Sequence, residues 1–298
     1  AKSVLDALLK DIDDSAIFTN QHVIEINKDQ ETFIVKTKKQ VFNCHHLIIA
    51  TGSKSYPETG SNGDGLAFAS SFNIPVKPFS SAETSIYGYE HQLPFKNIKG
   101  AQLQDITLYI NHKKTKYSGD LIFTHFGLSG PVIFAAAHQI NKMLNEGKVI
   151  VSFSLSPMTK DVLIILFNQN QKKYLKNVLS NIIPSPLASY IEKLTKSDQL
   201  SISSLNIQTI NQIIQLITQF DVEIKRVEDV KRAFVNAGGI DTVALNPKTF
   251  ESKSVKNLYF IGETVNVFGP IGGFNITIAL SSGYASAQSV IKHYKKYH

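Results

Sequence analysis

The stretch that decides the fold class of this 298-residue chain is Leu258-Tyr259-Phe260-Ile261-Gly262-Glu263. Four consecutive apolar residues without polar alternation predict a strand buried on both faces of a parallel sheet. A second run of the same kind, Leu47-Ile48-Ile49-Ala50, ends in Thr51-Gly52-Ser53. Ligands of open α/β sheets bind at the carboxyl ends of such strands. The two runs therefore predict an α/β fold with a ligand site where both strands end.

A glycine-rich loop and a long helix follow the strand Leu258–Ile261. Gly272-Gly273-Phe274-Asn275 precedes a helix predicted to run to about Tyr294. Glycine lets backbone approach a ligand closely, and a helix N-terminus offers unpaired N–H groups to anionic atoms. A flavin or a phosphate would suit this arrangement, and the turns of an ordinary α/β sheet are the alternative. The small members of one helix stripe predict close packing on a sheet. The stripe comprises Ile276, Ala279, Leu280, Gly283, Ala287, Val290 and Ile291.

Spacing of apolar residues predicts the remaining N-terminal structure. The chain opens in an amphipathic helix over residues 1–9. An antiparallel meander follows, with strands at 23–26, 32–38 and 40–44 and a polar break at 27–30. The glycine-rich segment 60–65 opens a helix over 66–72, but its spacing is not that of the dinucleotide fingerprint.

The middle of the chain is predicted to hold two inserted units. Residues 74–155 are rich in strand patterns, interrupted by a loop at 121–130 and a helix at 131–145. Residues 158–230 have mainly helical periodicity, so we expect an inserted helical unit there. The predicted division is 1–75 with 231–298 for the α/β domain, 76–157 for the β-rich unit and 158–230 for the helical unit.

Composition narrows the classes of partner. The net charge is +7, but the basic residues are scattered and only Arg226 and Arg232 are arginines, so nucleic acid is not the expected partner. No apolar run is long enough to cross a bilayer and no signal-peptide pattern opens the chain, so we expect a cytoplasmic protein without membrane contact. The single cysteine, Cys44, excludes an internal disulfide framework and is interpreted as a packing residue rather than a redox nucleophile.

Several short motifs occur in the order found in one family of flavoproteins. The motifs are Ala50-Thr51-Gly52, Gly60-Ser61-Asn62-Gly63-Asp64-Gly65, Phe123-Thr124-His125-Phe126-Gly127-Leu128-Ser129-Gly130-Pro131, Ala237-Gly238-Gly239-Ile240, Glu251-Ser252-Lys253, Gly262-Glu263 and Gly272-Gly273-Phe274-Asn275. Together they resemble the aminoacetone-oxidase family of FAD-binding proteins. The resemblance extends from the first residues almost to the C-terminus.

The resemblance implies a glutathione-reductase-like FAD-binding domain, built from both ends of the chain, with an inserted β-barrel and a helical subdomain between them. It also implies that the last helix points its N-terminus at the flavin ring, where positive charge would stabilise the reduced, anionic flavin. The FAD contacts carried over from the family are Val23, Ala50, Thr51, Gly52, Gly262, Glu263, Asn266, Gly272, Gly273, Phe274 and Asn275.

Two departures from the family pattern bear on FAD binding. Asn266 stands where the family usually has an aspartate, so a charged contact would become a neutral hydrogen bond. The family also begins with a βαβ unit bearing Gly-x-Gly-x-x-Gly, which is not found in this sequence. We therefore expect an N-terminally truncated FAD domain that by itself binds FAD poorly or not at all.

The leading functional hypothesis is an FAD-dependent oxidoreductase that acts on a small organic substrate, with a nicotinamide, NAD(P), or oxygen as its electron partner. An RNA-modifying flavoprotein of the same fold and a non-catalytic remnant of the fold are the alternatives. His125 is a candidate catalytic base, although we favour a structural role because flavin enzymes often need only correct substrate placement. Ser129 lacks an evident base partner, and His45, His46 and His112 have no metal-site spacing, so no metal is expected.

Overall fold

The computed structural model describes residues 2–113 and 115–297. Its helices are α1 (Lys2–Leu9), α2 (Gly65–Ser71), α3 (Phe95–Ile98), α4 (Pro131–Leu144), α5 (Lys160–Gln169), α6 (Leu175–Leu179), α7 (Ser185–Leu194), α8 (Ile207–Thr218) and α9 (Phe274–Tyr297). Its strands are β1 (Val23–Asp29), β2 (Thr32–Thr37), β3 (Val41–Cys44), β4 (Leu47–Ile49), β5 (Val76–Glu83), β6 (Ile86–Gly88), β7 (Gln102–Ile110), β8 (Lys116–Phe123), β9 (Gly127–Ser129), β10 (Val149–Phe153), β11 (Phe220–Val227), β12 (Val235–Ile240) and β13 (Leu258–Phe260).

The two uninterrupted apolar runs form a parallel pair, as predicted. β4 and β13 align Leu47 with Leu258 and Ile49 with Phe260. All three residues of β13 are buried, which confirms the prediction of burial on both faces for that strand. The same prediction is wrong for β4, because Ile48 is 38% exposed and only the other face packs into the core. The pair forms the parallel sheet at the centre of the α/β domain.

The predicted meander is confirmed as a three-stranded antiparallel sheet in the order β1-β2-β3. The predicted polar break at 27–30 begins too early, since β1 continues to Asp29. Asn27 pairs with Ile34 and Asp29 pairs with Thr32, so backbone pairing carries the strand through its polar residues. The chain turns at Gln30, which has a φ of 50°.

A closed six-stranded barrel, in the order β10-β11-β6-β9-β8-β7, forms the β-rich unit. Fully buried side chains such as Leu108, Leu121 and Val151 belong to its core. The predicted loop at 121–130 is mostly wrong, because β8 extends through Phe123 and β9 covers Gly127–Ser129. Only the turn between them is irregular, and there the Thr124 hydroxyl accepts a hydrogen bond from Gly127 N–H at 3.0 Å.

The helical insertion lies between two barrel strands. Helices α5 to α8 follow β10, but the predicted helical region 158–230 ends early, because Phe220–Val227 forms β11 and completes the barrel. Alternating burial along β11 explains the change of period there. β5 precedes the barrel strands in the chain and pairs with β12 in a separate two-stranded sheet. The domain boundaries at 75/76, 157/158 and 230/231 remain predictions.

The last helix, α9, packs differently from the prediction. Ile276, Leu280 and Ile291 of the predicted apolar stripe are 67%, 55% and 45% exposed. The buried positions of the helix are instead Ser282, Ser286 and Ser289. Their small hydroxyl side chains bond to Gly262 N–H after β13, to Thr249 O and to the Tyr259 hydroxyl of β13, respectively. None of the helices in residues 2–113 and 115–297 is long and apolar enough to cross a membrane.

Candidate functional site

The loops that follow β4 and β13 are joined directly by hydrogen bonds. Gly52 N–H donates to the Thr264 hydroxyl at 3.0 Å, and the Ser53 hydroxyl donates to a Glu263 carboxylate oxygen at 2.9 Å. Thr264 and Ser53 are 0% and 2% exposed. Because buried polar groups are costly when unpaired, these bonds fix the two strand ends relative to each other.

The glycine-rich loop at 60–65 supports the first of these strand ends. The Ser61 hydroxyl lies 2.9 Å from the Thr51 carbonyl oxygen and 2.8 Å from that of Ser53. Gly65 N–H donates to the Thr51 hydroxyl at 3.1 Å. Gly52 has a φ of +72°, and a Cβ added to it would lie 2.5 Å from the Ser61 hydroxyl oxygen. The space left by this glycine is therefore taken by Ser61.

Helix α9 holds the other strand end. Gly262 N–H donates to the Ser282 hydroxyl at 3.0 Å, and the Tyr259 and Ser289 hydroxyls lie 3.4 Å apart. Gly262 has a φ of +62°, in the left-handed region that favours glycine. Ser282, Ser286 and Ser289 lie at spacings of four and three residues on α9, so they form one helix face. Sequence reasoning missed this polar face, although its spacing was visible.

The loop before α9 depends on its own backbone conformation. The Asn275 side chain donates to Gly269 O at 2.8 Å and accepts from Gly269 N–H at 2.9 Å. Gly272 and Gly273 have φ values of +132° and +95°, and a Cβ on Gly273 would meet nothing within 4 Å. These two glycines are therefore required by conformation and not by packing. The first hydrogen bond into the helix runs from Thr277 N–H to Gly273 O.

Asn266 lies on the loop after β13, whereas Val23 lies in a different sheet. The Asn266 side-chain oxygen accepts from Gly238 N–H at 3.1 Å, which ties the loop after β13 to β12. Val23 begins β1 in the separate three-stranded sheet and packs partly buried against the core shared with β4 and β13. The network of described residues thus unites Thr51, Gly52, Gly262 and Glu263 but leaves Val23 apart.

Glu83 is a site residue that sequence reasoning missed. Its carboxylate Oε2 accepts a hydrogen bond from Ile271 N–H at 2.7 Å, across 188 residues of chain. The side chain is 7% exposed, and burial raises the pKa of this carboxyl while the Ile271 N–H opposes the shift. A lone glutamate inside a β-rich segment carries no sequence signal that could have identified it.

Apolar and aromatic side chains surround the same loop. Ile271 and Phe274 are 51% and 56% exposed at its surface. Phe268 makes an edge contact with the ring of His138 on α4, with ring centroids 5.1 Å apart. The His138 Nδ1 is buried with no hydrogen-bond partner among the described residues, and burial lowers the pKa of this histidine.

His125 lies outside this network. It is exposed on the turn between β8 and β9 and makes an edge contact with Phe126 at 4.9 Å between ring centroids. The structural role that we favour for His125 and the alternative role as a catalytic base both stay predictions. Across the described residues, no group of three or more histidine, cysteine, aspartate or glutamate side chains is arranged to hold a metal ion.

The residues at the start of α9 fit a planar, partly anionic ligand such as a flavin. In the described part of the chain, the N–H groups of Phe274, Asn275 and Ile276 donate to no acceptor. Unpaired N–H groups at the start of a long helix favour negative charge. The exposed Ile271 and Phe274 side chains offer apolar surface to a ring system beside those donors.

The chain matches the family model described as HI0933-like protein Rossmann domain over residues 1–289. It is 29% identical over 299 residues to the ribosomal RNA dihydrouridine synthase of Escherichia coli K12, covering 98% of this chain and 72% of that protein. It is 28% identical over 265 residues to the protein of the same name from Haemophilus influenzae, covering 89% and 65%. It is 27% identical over 283 residues to the 3-dehydro-bile acid delta(4,6)-reductase of Clostridium scindens, covering 92% and 68%. With nearly its whole length matched, the chain belongs to the HI0933-like Rossmann-domain family.

Proposed function

We propose that this protein is a flavin-dependent oxidoreductase with FAD as its flavin. The observation that carries the proposal is the hydrogen-bonded junction of the β4 and β13 ends, against which Ser282 holds helix α9, a helix that begins with unpaired N–H groups. When bound, the flavin supplies hydride transfer, a reaction that side chains alone do not perform. The protein's part is to bind, orient and shield the reacting partners.

The chain offers distinct groups for distinct parts of the cofactor. Ala50, Thr51 and Gly52 would line one side, together with Gly262 and Glu263 on the other. The N–H groups of Phe274 and Asn275, presented by Gly272 and Gly273, would face the flavin ring where negative charge develops on reduction. Asn266 and Val23 remain proposed contacts, for which Asn266 would have to share its side chain with Gly238.

The proposed reaction is reduction of a carbon–carbon double bond conjugated with a carbonyl group. The names of the relatives motivate this choice, because formation of dihydrouridine and the action of a delta(4,6)-reductase both describe addition of hydrogen to an unsaturated ring. A flavin hydride donor suits such a bond, since the carbonyl accepts the developing charge. A small organic substrate of this type is the first candidate.

The proposed electron donor is a nicotinamide, NAD(P)H, with oxygen as the alternative partner. Oxygen would fit the resemblance to aminoacetone oxidases. In an oxidase the electrons pass from the substrate to the flavin and then to oxygen, the opposite of the direction proposed here. The two cases differ in a simple measurement: anaerobic NAD(P)H either reduces the bound flavin or leaves it oxidised. We also propose a cytoplasmic location.

RNA is a second candidate substrate. Two of the relatives carry ribosomal RNA in their names, so the expectation that nucleic acid is not a partner lacks support from the comparisons. The net charge of +7 favours contact with phosphates. An RNA substrate predicts binding that weakens steeply as salt rises.

A paired assay tests these proposals. The natural protein is purified with added FAD, reduced anaerobically, and mixed either with a cyclic enone or with unmodified ribosomal RNA. We expect reoxidation of the flavin with one of them and formation of the saturated product. If the protein binds no FAD, the proposed function is wrong. If it binds FAD but neither substrate reoxidises the reduced flavin, the proposed reaction is wrong.

A further inference from the structure

We propose that Glu83 is a positioning residue that sets the electronic environment of the flavin by anchoring the loop before α9. The inference rests on the proposed function, because it concerns the part of the site that would face the flavin ring. Glu83 belongs to the strand that leads into the barrel, so it couples the barrel side of the molecule to the cofactor loop.

The anchoring contact is short and selective. Glu83 Oε2 receives the Ile271 N–H at 2.7 Å, and the Glu83 backbone oxygen receives Phe234 N–H at 3.0 Å. The backbone of Glu83 is therefore fixed by β12, and its side chain reaches out to the loop. Ile271 lies only three residues before Phe274, the first residue of α9.

The loop has few other restraints. The Ile271 side chain is 51% exposed, and Gly272 and Gly273 have no side chains that could hold them. Asn275 clamps the loop at Gly269, on the far side of these residues. The Glu83 carboxylate consequently holds the loop at Ile271, between Gly269, which Asn275 clamps, and Phe274, where α9 begins.

The charge of Glu83 adds a second effect. A carboxylate that is 7% exposed is poorly screened by water, so its field extends to groups bound at the neighbouring helix start. Negative charge there disfavours the reduced, anionic flavin, while the helix N–H groups favour it. The charge of Glu83 thus lowers the midpoint potential of the flavin. At the same time, its hydrogen bond orders the N–H groups at the start of α9, which raise that potential.

Two variants of Glu83 and two control variants separate these effects. E83Q keeps an oxygen that can accept the Ile271 N–H but removes the charge, whereas E83A removes both. The matched control is Glu192, a glutamate that is 5% exposed and accepts Lys176 N–H at 3.2 Å in the helical insertion. E192Q and E192A therefore report the general cost of disturbing a buried glutamate away from the site.

Hydrogen exchange of the flavin-free protein tests the anchor. We expect the Ile271 amide to exchange at least tenfold faster in E83A than in the wild type, and to stay protected in E83Q and E192A. Equal exchange in E83A and the wild type overturns the inference whether or not the protein binds flavin. The FAD dissociation constant should rise about tenfold in E83A, in proportion to the loss of one hydrogen bond.

The flavin midpoint potential tests the charge. In E83Q we expect a less negative potential than in the wild type at neutral pH, with the difference vanishing as the pH falls and Glu83 itself protonates. The other titratable groups on elements packed against β5 are His138 and Lys142 of α4 and Glu228 after β11, and they are common to both proteins.

If wild-type protein binds FAD but E83Q and the wild type have equal potentials at every pH, the inference is wrong and the proposed function stands. If wild-type protein binds no FAD, the proposed function fails first and takes the electronic role of Glu83 with it.

Discussion

The hydroxyl of Thr264 accepts a hydrogen bond from Gly52 N–H at 3.0 Å, although the two residues are 212 positions apart in the sequence. Thr264 is fully buried, and its methyl group occupies the space in which a Cβ on Gly65 would come within 2.6 Å. One side chain therefore holds the end of β4, the end of β13 and the start of α2. The position of the candidate site depends on this contact.

Replacing Thr264 with valine tests that dependence. T264V keeps the shape of the side chain but leaves the Gly52 N–H without its acceptor, so we expect a loss of about 1–3 kcal/mol in the free energy of unfolding. Urea unfolding measures the change. The control is T107V in strand β7, where the hydroxyl makes no hydrogen bond to other described residues and an effect below about 0.5 kcal/mol is expected. Equal effects of the two substitutions would contradict a bridging role for Thr264.

Three glycine-to-alanine substitutions separate backbone strain from packing. Gly262 has a φ of +62° with room for a Cβ, so G262A should destabilise by about 1–2 kcal/mol through conformation alone. G52A should cost more, because its Cβ would also meet the Ser61 hydroxyl at 2.5 Å. Gly283, inside α9, has a Cβ position 3.7 Å from Ile261 Cδ1, and G283A should stabilise by about 0.5–1 kcal/mol. Thermal and urea unfolding establish the order, and a stabilising G262A contradicts it.

Cys44 should be a slow thiol. It is half-buried at the end of β3, and burial raises the pKa of its thiol. Since the thiolate is the reactive form, alkylation should be slower than that of a free cysteine at the same pH and should accelerate only as the pH rises further. Mass spectrometry after timed iodoacetamide treatment measures the rate. Alkylation as fast as that of free cysteine, or loss of flavin reduction in C44A, would contradict a packing role.

The stability of the protein should depend on pH through Glu83. Burial raises the pKa of its folded-state carboxyl, so its stabilising contribution is present below the ordinary glutamate pKa of about 4.3 and is lost as the pH rises through the folded-state value. The stability of the wild type relative to E83Q should therefore increase as the pH is lowered. Urea unfolding over a pH series measures this difference.

Glu25 provides a control of opposite sign. Its carboxylate accepts a hydrogen bond from Lys36 at 2.8 Å, which holds the pKa of Glu25 below its usual value. The stability of the wild type relative to E25Q should therefore fall as the pH drops through that lowered pKa. A parallel response of the E83Q and E25Q comparisons would contradict the assignment of the Glu83 effect to burial.

The elements that fix the fold were predictable because their signals are local. Uninterrupted apolar runs identified β4 and β13, and alternation identified the β1-β2-β3 sheet. Where the prediction was wrong at β1, tertiary pairing decided the outcome, because pairing with β2 carries the strand through its polar residues. Strand β11 was missed for another reason: Phe220, Val222 and Ile224 do alternate with charged residues, but this local signal directly follows the amphipathic helix α8.

The candidate site was predictable in its glycines but not in the contacts that organise it. Gly262 and Gly273 signal special backbone conformations in the sequence itself. Thr264 and Glu83 act through partners that are 212 and 188 residues away, so no local pattern reveals them. The apolar stripe of α9 shows the same limit, since the side that packs is set by the serine hydrogen bonds.

Equilibrium titration with FAD of the natural protein, at the full length at which it occurs in the cell, tests the central claim most directly and is followed by the visible absorption of the flavin. The account predicts saturable binding at one site per chain, weakened in T264V and G262A and unchanged in T107V. Absence of binding, or binding that responds equally to all three substitutions, would contradict a flavin site at the ends of β4 and β13.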